Sequence, residues 1–274
     1  MNYMAENENP IGIFDSGIGG LTVFKEVSRM LPSENIIYLG DTARVPYGIR
    51  SPETVTRYSF ECTGFLLQQN IKLLVVACNT VSAISLYKIK KRIPIPVIGV
   101  IEPGARAAVN STRNKKIGII GTEATIRSGA YFKAIKRMNK DIEIVGLPCP
   151  LFVPLVEEGW TDGVIARLVV ERYLSGLKEK GTDTLVLGCT HYPLLKNIIQ
   201  DIMEGVTLID SAVETGKVVG DVLSKMKMIG KADKLPYHKF FVTDSPEKFV
   251  KVGERFLGSE IKKIQKVHIY SQGK

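Results

Sequence analysis

An α/β fold made of two similar halves, each a mainly parallel sheet flanked by helices, is predicted by three features of the 274-residue sequence. Short β-rich apolar runs alternate with helix-length amphipathic stretches, the pattern of strand–helix–strand units. The apolar runs are nearly continuous rather than alternating, which suits strands buried on both faces. The landmarks of the first half then recur in the second, in the same order.

Taken in order, IGIF (11–14) precedes the amphipathic LTVFKEVSRML (21–31), and IIYLG (36–40) precedes SPETVTRYSFECTGFLLQQN (51–70). LLVVAC (73–78) leads to SAISLYKIKKR (82–92), and PVIGVI follows at 96–101. IGIFDS at 11 returns as IGIIGT at 117, and IIYLG at 36 as IEIVG at 142, both with an offset of 106. LLVVACNT returns as TLVLGCTH and PVIGV as TLIDS, both with an offset of 111. The chain after residue 211 has no counterpart in either half and is expected to complete the first. The expected domains are therefore 1–101 plus 211–274, and 102–210.

Composition narrows the function classes. Apolar residues make up 45% and charged residues 24%, an ordinary globular balance that excludes a disordered or fibrous chain. Four cysteines exclude a disulfide scaffold, and no apolar run reaches the roughly 18 residues that span a membrane. The opening MNYMAENENP lacks an apolar core, so no secretory leader and a cytoplasmic setting are expected. Residues 225–274 hold twelve Lys/Arg against five Asp/Glu, most of the net charge of +9. That is read as a solvated basic face, because no nucleic-acid-binding motif accompanies it.

The strongest local signal is a pair of cysteines. Cys78 in ACNTVSA and Cys189 in GCTHYPLL each end an apolar strand and precede a polar helix start. Ligands of α/β sheets bind at the carboxyl ends of strands, so related halves can present one thiol from each side of a shared cleft. A helix start favours the reactive thiolate. Inverting a stereocentre needs one group to remove a proton and a second to return one from the opposite face, and paired thiols meet that need. Cys62 and Cys149 are read as core residues. No metal-binding spacing is present among the cysteines.

Asp15 lies at the first strand end, where it can assist proton transfer or simply cap a helix, as can Ser16. The following DSGIGG breaks the spacing of both dinucleotide and P-loop fingerprints, yet its glycines suit a carboxylate- or phosphate-binding turn. His191, two residues from Cys189, is read as an orienting or acid–base group. Glu157, in LFVPLVEEG, reads as a helix-surface residue, and RVPYG (44–48) as a turn.

At these residues the sequence resembles the glutamate racemases, of the aspartate/glutamate racemase superfamily. The stretches that carry the resemblance are IGIFDSGIGGLTV, YLGDTARVPYG, VVACNTVSA, GVIEPG, IGIIGTEATI, CPLFVPLVEEG, LVLGCTHYPLL and FFVTDSPEKFVKVGERFLG. Ile18, Val45, Ile49 and Val81 are conservative departures within them. The resemblance implies two pseudo-symmetric Rossmann-like domains with the active site between them, often as a homodimer. It implies interconversion of L- and D-glutamate without pyridoxal phosphate or metal, supplying D-glutamate for peptidoglycan. Cys78 and Cys189 match the two catalytic bases; Asp15, His191 and Glu157 match assisting residues. Asp15–Ser16, Tyr47–Gly48, Asn79–Thr80 and Thr190–His191 match the substrate-binding pairs. Three other readings stand beside this one: a related enzyme for aspartate or another acid, a binding protein using the same cleft without catalysis, and a nucleic-acid-binding protein using the basic C-terminus.

Overall fold

A computed structural model of the chain describes residues 7–230 and 235–269. The apolar runs become strands β1 (Ile11–Asp15), β2 (Ile36–Gly40), β3 (Leu73–Val76) and β4 (Val97–Gly99) in the first half. The second half has β5 (Lys116–Gly121), β6 (Glu143–Pro148), β7 (Thr184–Gly188) and β8 (Thr207–Asp210), followed by β9 (His238–Val242) and β10 (Ile264–Lys266). They form a six-stranded sheet in the order β10-β9-β2-β1-β3-β4 and a four-stranded sheet in the order β6-β5-β7-β8. Each pairing is parallel. The order β2-β1-β3-β4 is repeated by β6-β5-β7-β8, so the offsets of the sequence repeat are a repeat of topology. The two-sheet α/β architecture is the one the sequence predicts. The C-terminal strands β9 and β10 lengthen the first sheet beside β2.

The helices are α1 (Leu21–Met30), α2 (Pro52–Leu67), α3 (Asn79–Ile84), α4 (Leu86–Lys90), α5 (Ile101–Ser111), α6 (Glu123–Ser128) and α7 (Ala130–Met138). They continue as α8 (Phe152–Glu158), α9 (Gly163–Glu179), α10 (Lys196–Ile202), α11 (Ser211–Lys225) and α12 (Pro246–Leu257). Where the sequence predicts one helix over 82–92, the chain makes α3 and α4, broken at Ser85. Ser85 is buried, and its hydroxyl donates to Thr56 Oγ1 at 3.1 Å. Good caps set other boundaries: the Ser51 hydroxyl accepts from the Thr54 N–H at 3.3 Å with Pro52 in the first turn, and Thr122 caps α6.

Strands β1, β2, β3 and β7 are buried along their whole length, as a sheet covered on both faces requires. One apolar cluster runs from Ile13 and Leu21 through Leu187 and Tyr192 to Phe249, and so joins the two halves. Helix α11 packs on α1 of the first half and on α5, which itself lies against α7 and β7. Among the described residues, no helix is long and apolar enough to cross a membrane.

Candidate active site

Register brings the chemistry together. In the first sheet Asp15 pairs with Gly40 and Phe14 with Val76, and in the second Gly121 pairs with Gly188. The segments leaving β1, β3, β5 and β7 therefore emerge side by side. They carry Asp15–Ser16, Cys78–Asn79–Thr80, Thr122 and Cys189–Thr190–His191. A cavity opens between the sheets, and Ser16, Tyr47, Gly48, Cys78, Asn79, Thr80, Glu157, Cys189, Thr190 and His191 all line it. Of the residues singled out in the sequence, Asp15 alone is not on that wall; it is fully buried one layer behind Ser16.

The halves lock across this cavity by polar contacts. Thr80 meets Thr122 at 3.0 Å, the Tyr131 hydroxyl donates to Asn79 Oδ1 at 2.7 Å, and the Thr22 hydroxyl donates to the Thr190 carbonyl at 3.1 Å. The glycine turn has a different use from the one its composition suggests. Only Ser16 and Gly17 of DSGIGG reach the cavity, and the Gly17 N–H is bonded to Asp15 Oδ2 at 2.9 Å. Gly19 sits so close to Thr190 and His191 that a Cβ would collide with both side chains. Its smallness lets the first half press directly on the second, while a Cβ on Gly17 would meet Val45 and one on Gly20 would meet Asp15 and Tyr38.

Cys78 precedes α3 and its thiol donates to Ser16 Oγ at 3.5 Å. The expectation that a helix start lowers this thiol's pKa is overturned. Burial pushes it up to about 12, and the carboxylate of Asp15 adds to the rise, against weaker bonds from Ser16 and the Val81 N–H. A six-residue helix cannot offset full desolvation. Asp15 is raised in turn by its own burial, and its Oδ1 has no hydrogen-bond partner among the described residues. Asn79 Nδ2 is likewise buried without a partner.

Cys189 has different company. Its Sγ lies 3.9 Å from His191 Nδ1, and His191 Nε2 lies 3.3 Å from Glu157 Oε1. Burial alone would hold the imidazole's pKa down, but Cys189 and Glu157 raise it to about 10. His191 is therefore cationic at neutral pH, and its bond draws the Glu157 carboxyl below its usual range. The helix-surface reading of Glu157 is corrected: α8 turns it toward the cavity and onto His191.

Tyr47 lines the cavity, but its hydroxyl points away, to Asp41 and to Cys62 Sγ at 4.0 Å. The turn that carries it includes a cis Val45–Pro46 bond. A Cβ on Gly48 would come within 2.8 Å of Thr122. Val45, one of the conservative departures, also lines the cavity, as do Val153 and Thr122, which sequence reasoning does not single out. Thr122 has a signal, since the offset of 106 makes it the counterpart of Ser16. Cys62 and Cys149 lie in the core, where burial raises both thiols. Among the described residues, no group of three or more His, Cys, Asp or Glu is arranged to hold a metal ion.

Two parallel sheets that share a thiol-lined cavity define a class. The chain belongs to the Asp/Glu/Hydantoin racemase family, whose profile matches residues 11–215. Within that family, glutamate racemases are among its relatives over nearly the full length of the chain. It is 56% identical to the glutamate racemase of Geobacter metallireducens over 96% of this chain and 97% of the relative. The crystal structure of the Francisella tularensis glutamate racemase in complex with D-glutamate superposes with a TM-score of 0.91 at 41% identity, covering 96% of this chain and 98% of that one. A glutamate racemase isoform from Bacillus anthracis superposes with a TM-score of 0.92 at 43% identity, over 96% and 98%.

Proposed function

We propose that this protein interconverts L- and D-glutamate by a cofactor-independent two-base proton transfer, with Cys78 and Cys189 as the bases. The observation that carries this reading is that both thiols, from equivalent strand ends, line one cavity. Glutamate would lie with its α-carbon between the two sulfurs. One thiolate takes the α-proton from one face while the opposite thiol gives its proton to the other, and the roles reverse for the other enantiomer. The α-carboxylate must accept the charge that develops as the C–H bond breaks. Asn79, with its unpartnered Nδ2, and the hydroxyls of Ser16 and Thr190 are the preorganised donors that support this assignment. Asp15 behind Cys78 and the His191–Glu157 pair beside Cys189 assist the two thiols. His191, cationic near neutrality, lies 3.9 Å from the Cys189 sulfur and can return a proton to it.

The same proposal sets the domain boundaries at 101/102 and 210/211, because α5 turns onto the second sheet and β9 and β10 pair in the first. It includes a homodimer, a reading supported by Trp160, Val164, Ile165 and Leu168, which are all exposed at the start of α9. It includes a cytoplasmic supply of D-glutamate for peptidoglycan, in keeping with four free thiols in the chain.

The test is incubation with L-glutamate in D₂O, following circular dichroism and deuterium at the α-carbon together. Loss of optical signal with deuterium uptake is the expected result. An unchanged signal with fresh reductant, followed by turnover of aspartate, would move the substrate to the shorter acid. Binding of glutamate without α-hydrogen exchange would reduce the protein to a receptor.

A further inference from the structure

The turn from Asp41 to Gly48 is held by more buried polar bonding than a loop of this length needs. Asp41 is fully buried at the end of β2. Its Oδ2 accepts from the Tyr47 hydroxyl and from Arg44 Nε at 2.7 Å, and its Oδ1 accepts from the Thr243 hydroxyl at 2.9 Å. Thr243 Oγ1 in turn accepts from the Ala43 N–H at 2.9 Å. Beside it, Thr42 Oγ1 donates to the Asp244 carbonyl and accepts from the Asp244 N–H at 2.8 Å. Arg44 pairs with Glu61 and lies 4.0 Å over the Tyr58 ring. A buried carboxylate with this many donors fixes the geometry around it, since breaking any one bond leaves an expensive orphan.

Two consequences follow. The Tyr47 phenol is engaged by Asp41, so Tyr47 and Gly48 present main chain to the cavity. The segment that engages Asp41 from the far side, Thr243–Asp244, lies beyond the repeat, directly after β9. We infer that Asp41 and Thr243 are positioning residues for the reaction: they hold the 45–48 wall of the cavity in its substrate-binding shape, and the C-terminal segment thereby builds part of the active site. The inference rests on the proposed function, taken together with the match of Tyr47–Gly48 to a substrate-binding pair. Neither Asp41 nor Thr243 lines the cavity, so neither touches substrate.

A purely structural network would cost stability and leave steady-state kinetics intact. Loss of positioning removes binding common to ground and transition states, which raises KM and spares kcat. Thr243→Val deletes the hydroxyl at nearly constant volume, and Thr243→Ser keeps it. With glutamate as substrate, T243V is expected to raise KM about tenfold with kcat within about twofold of the parent, and T243S to restore the parent KM. D41N is expected to move KM further in the same direction; if it does not fold, the Thr243 pair decides. A T243V protein with parental KM, whatever its melting temperature, overturns the inference. So does a fall in kcat at unchanged KM. If the parent protein itself fails to turn over glutamate, the proposed function fails first and takes this inference with it; a normal parent beside an unaltered T243V overturns the inference alone.

Discussion

The two ends of the active site have the same backbone ancestry and opposite electrostatics. Cys78 and Cys189 follow equivalent strands, β3 and β7, in sheets of the same order. The offset of 111 sets Thr80 opposite His191, and the offset of 106 sets Asp15 opposite Gly121. The first half thus places a buried carboxyl behind its thiol, and the second places an imidazolium beside its thiol. The buried carboxyl behind Cys78 adds to the rise of that thiol, and Cys189 has an imidazolium beside it. Topology supplies two thiols lining one cavity, and two unmatched positions differentiate their surroundings. A two-base racemase has to hold one base charged and the other protonated at any moment. In the proposed reaction this asymmetry distinguishes two thiols that a perfectly symmetric pair would leave equivalent.

The sharpest break in the comparison comes from the thiols themselves. C78A and C189A are each expected to lower racemisation at least about 1,000-fold without loss of the fold, since each leaves one face of the α-carbon without a proton carrier. Activity within tenfold of the parent in either variant would remove that cysteine from the chemistry.

D15N and H191N come next, with expected losses of about 100-fold in kcat/KM. L- and D-glutamate have equal free energy, so kcat/KM must fall equally in both directions. The asymmetry can therefore appear only in kcat and KM taken separately. The direction whose kcat suffers more in D15N should suffer less in H191N, measured by circular dichroism from each pure enantiomer. Losses weighted toward the same direction in both variants would mean that the two residues do not serve different thiols.

How much of the fold and the site is legible in the sequence depends on how local each cause is. The strands of the two halves and the thiol positions follow from apolar runs and their recurrence, which can be read directly along the chain. The helix break at Ser85 depends on a contact with Thr56 in another helix, and no window shows it. Glu157 reads as a surface residue because its partner His191 lies 34 positions away. The DSGIGG turn shows its glycines plainly but not the side chains of Thr190 and His191 that press on Gly19 from the other half. Cys78 follows the same rule: its helix start is visible in sequence, whereas the burial that overrides it belongs to the assembled cleft.

E157Q tests the second half alone and should cost less, about tenfold in kcat, because Glu157 is partly exposed and acts through His191. The carboxylate helps to raise the imidazole. Removing its charge should lower the pH at which His191 loses its proton, and so move the alkaline limb of the kcat profile downward. A profile that keeps its alkaline limb would separate Glu157 from His191.

The smallest expected effect is on stability, and it distinguishes the halves by pH window. His191 titrates at about 10 in the folded chain against an ordinary 6.5. Its stabilisation is therefore complete below about 6.5 and is lost as pH rises through about 10. Cys78 titrates at about 12 against an ordinary 9.0, so the folded chain holds that proton where the unfolded chain has released it. Its stabilisation is complete below 9.0 and is lost as pH rises through about 12. Both halves weaken in alkali, the His191 half first. Melting temperatures measured from neutral pH upward should fall in the parent protein, and H191N should flatten the early part of that fall by a few degrees. C78S should leave the early part intact and reduce the loss above pH 9.0. If H191N instead melts with the parental slope between neutrality and pH 10, the imidazole is not held cationic by Cys189 and Glu157, and the electrostatic contrast between the two thiols falls with it.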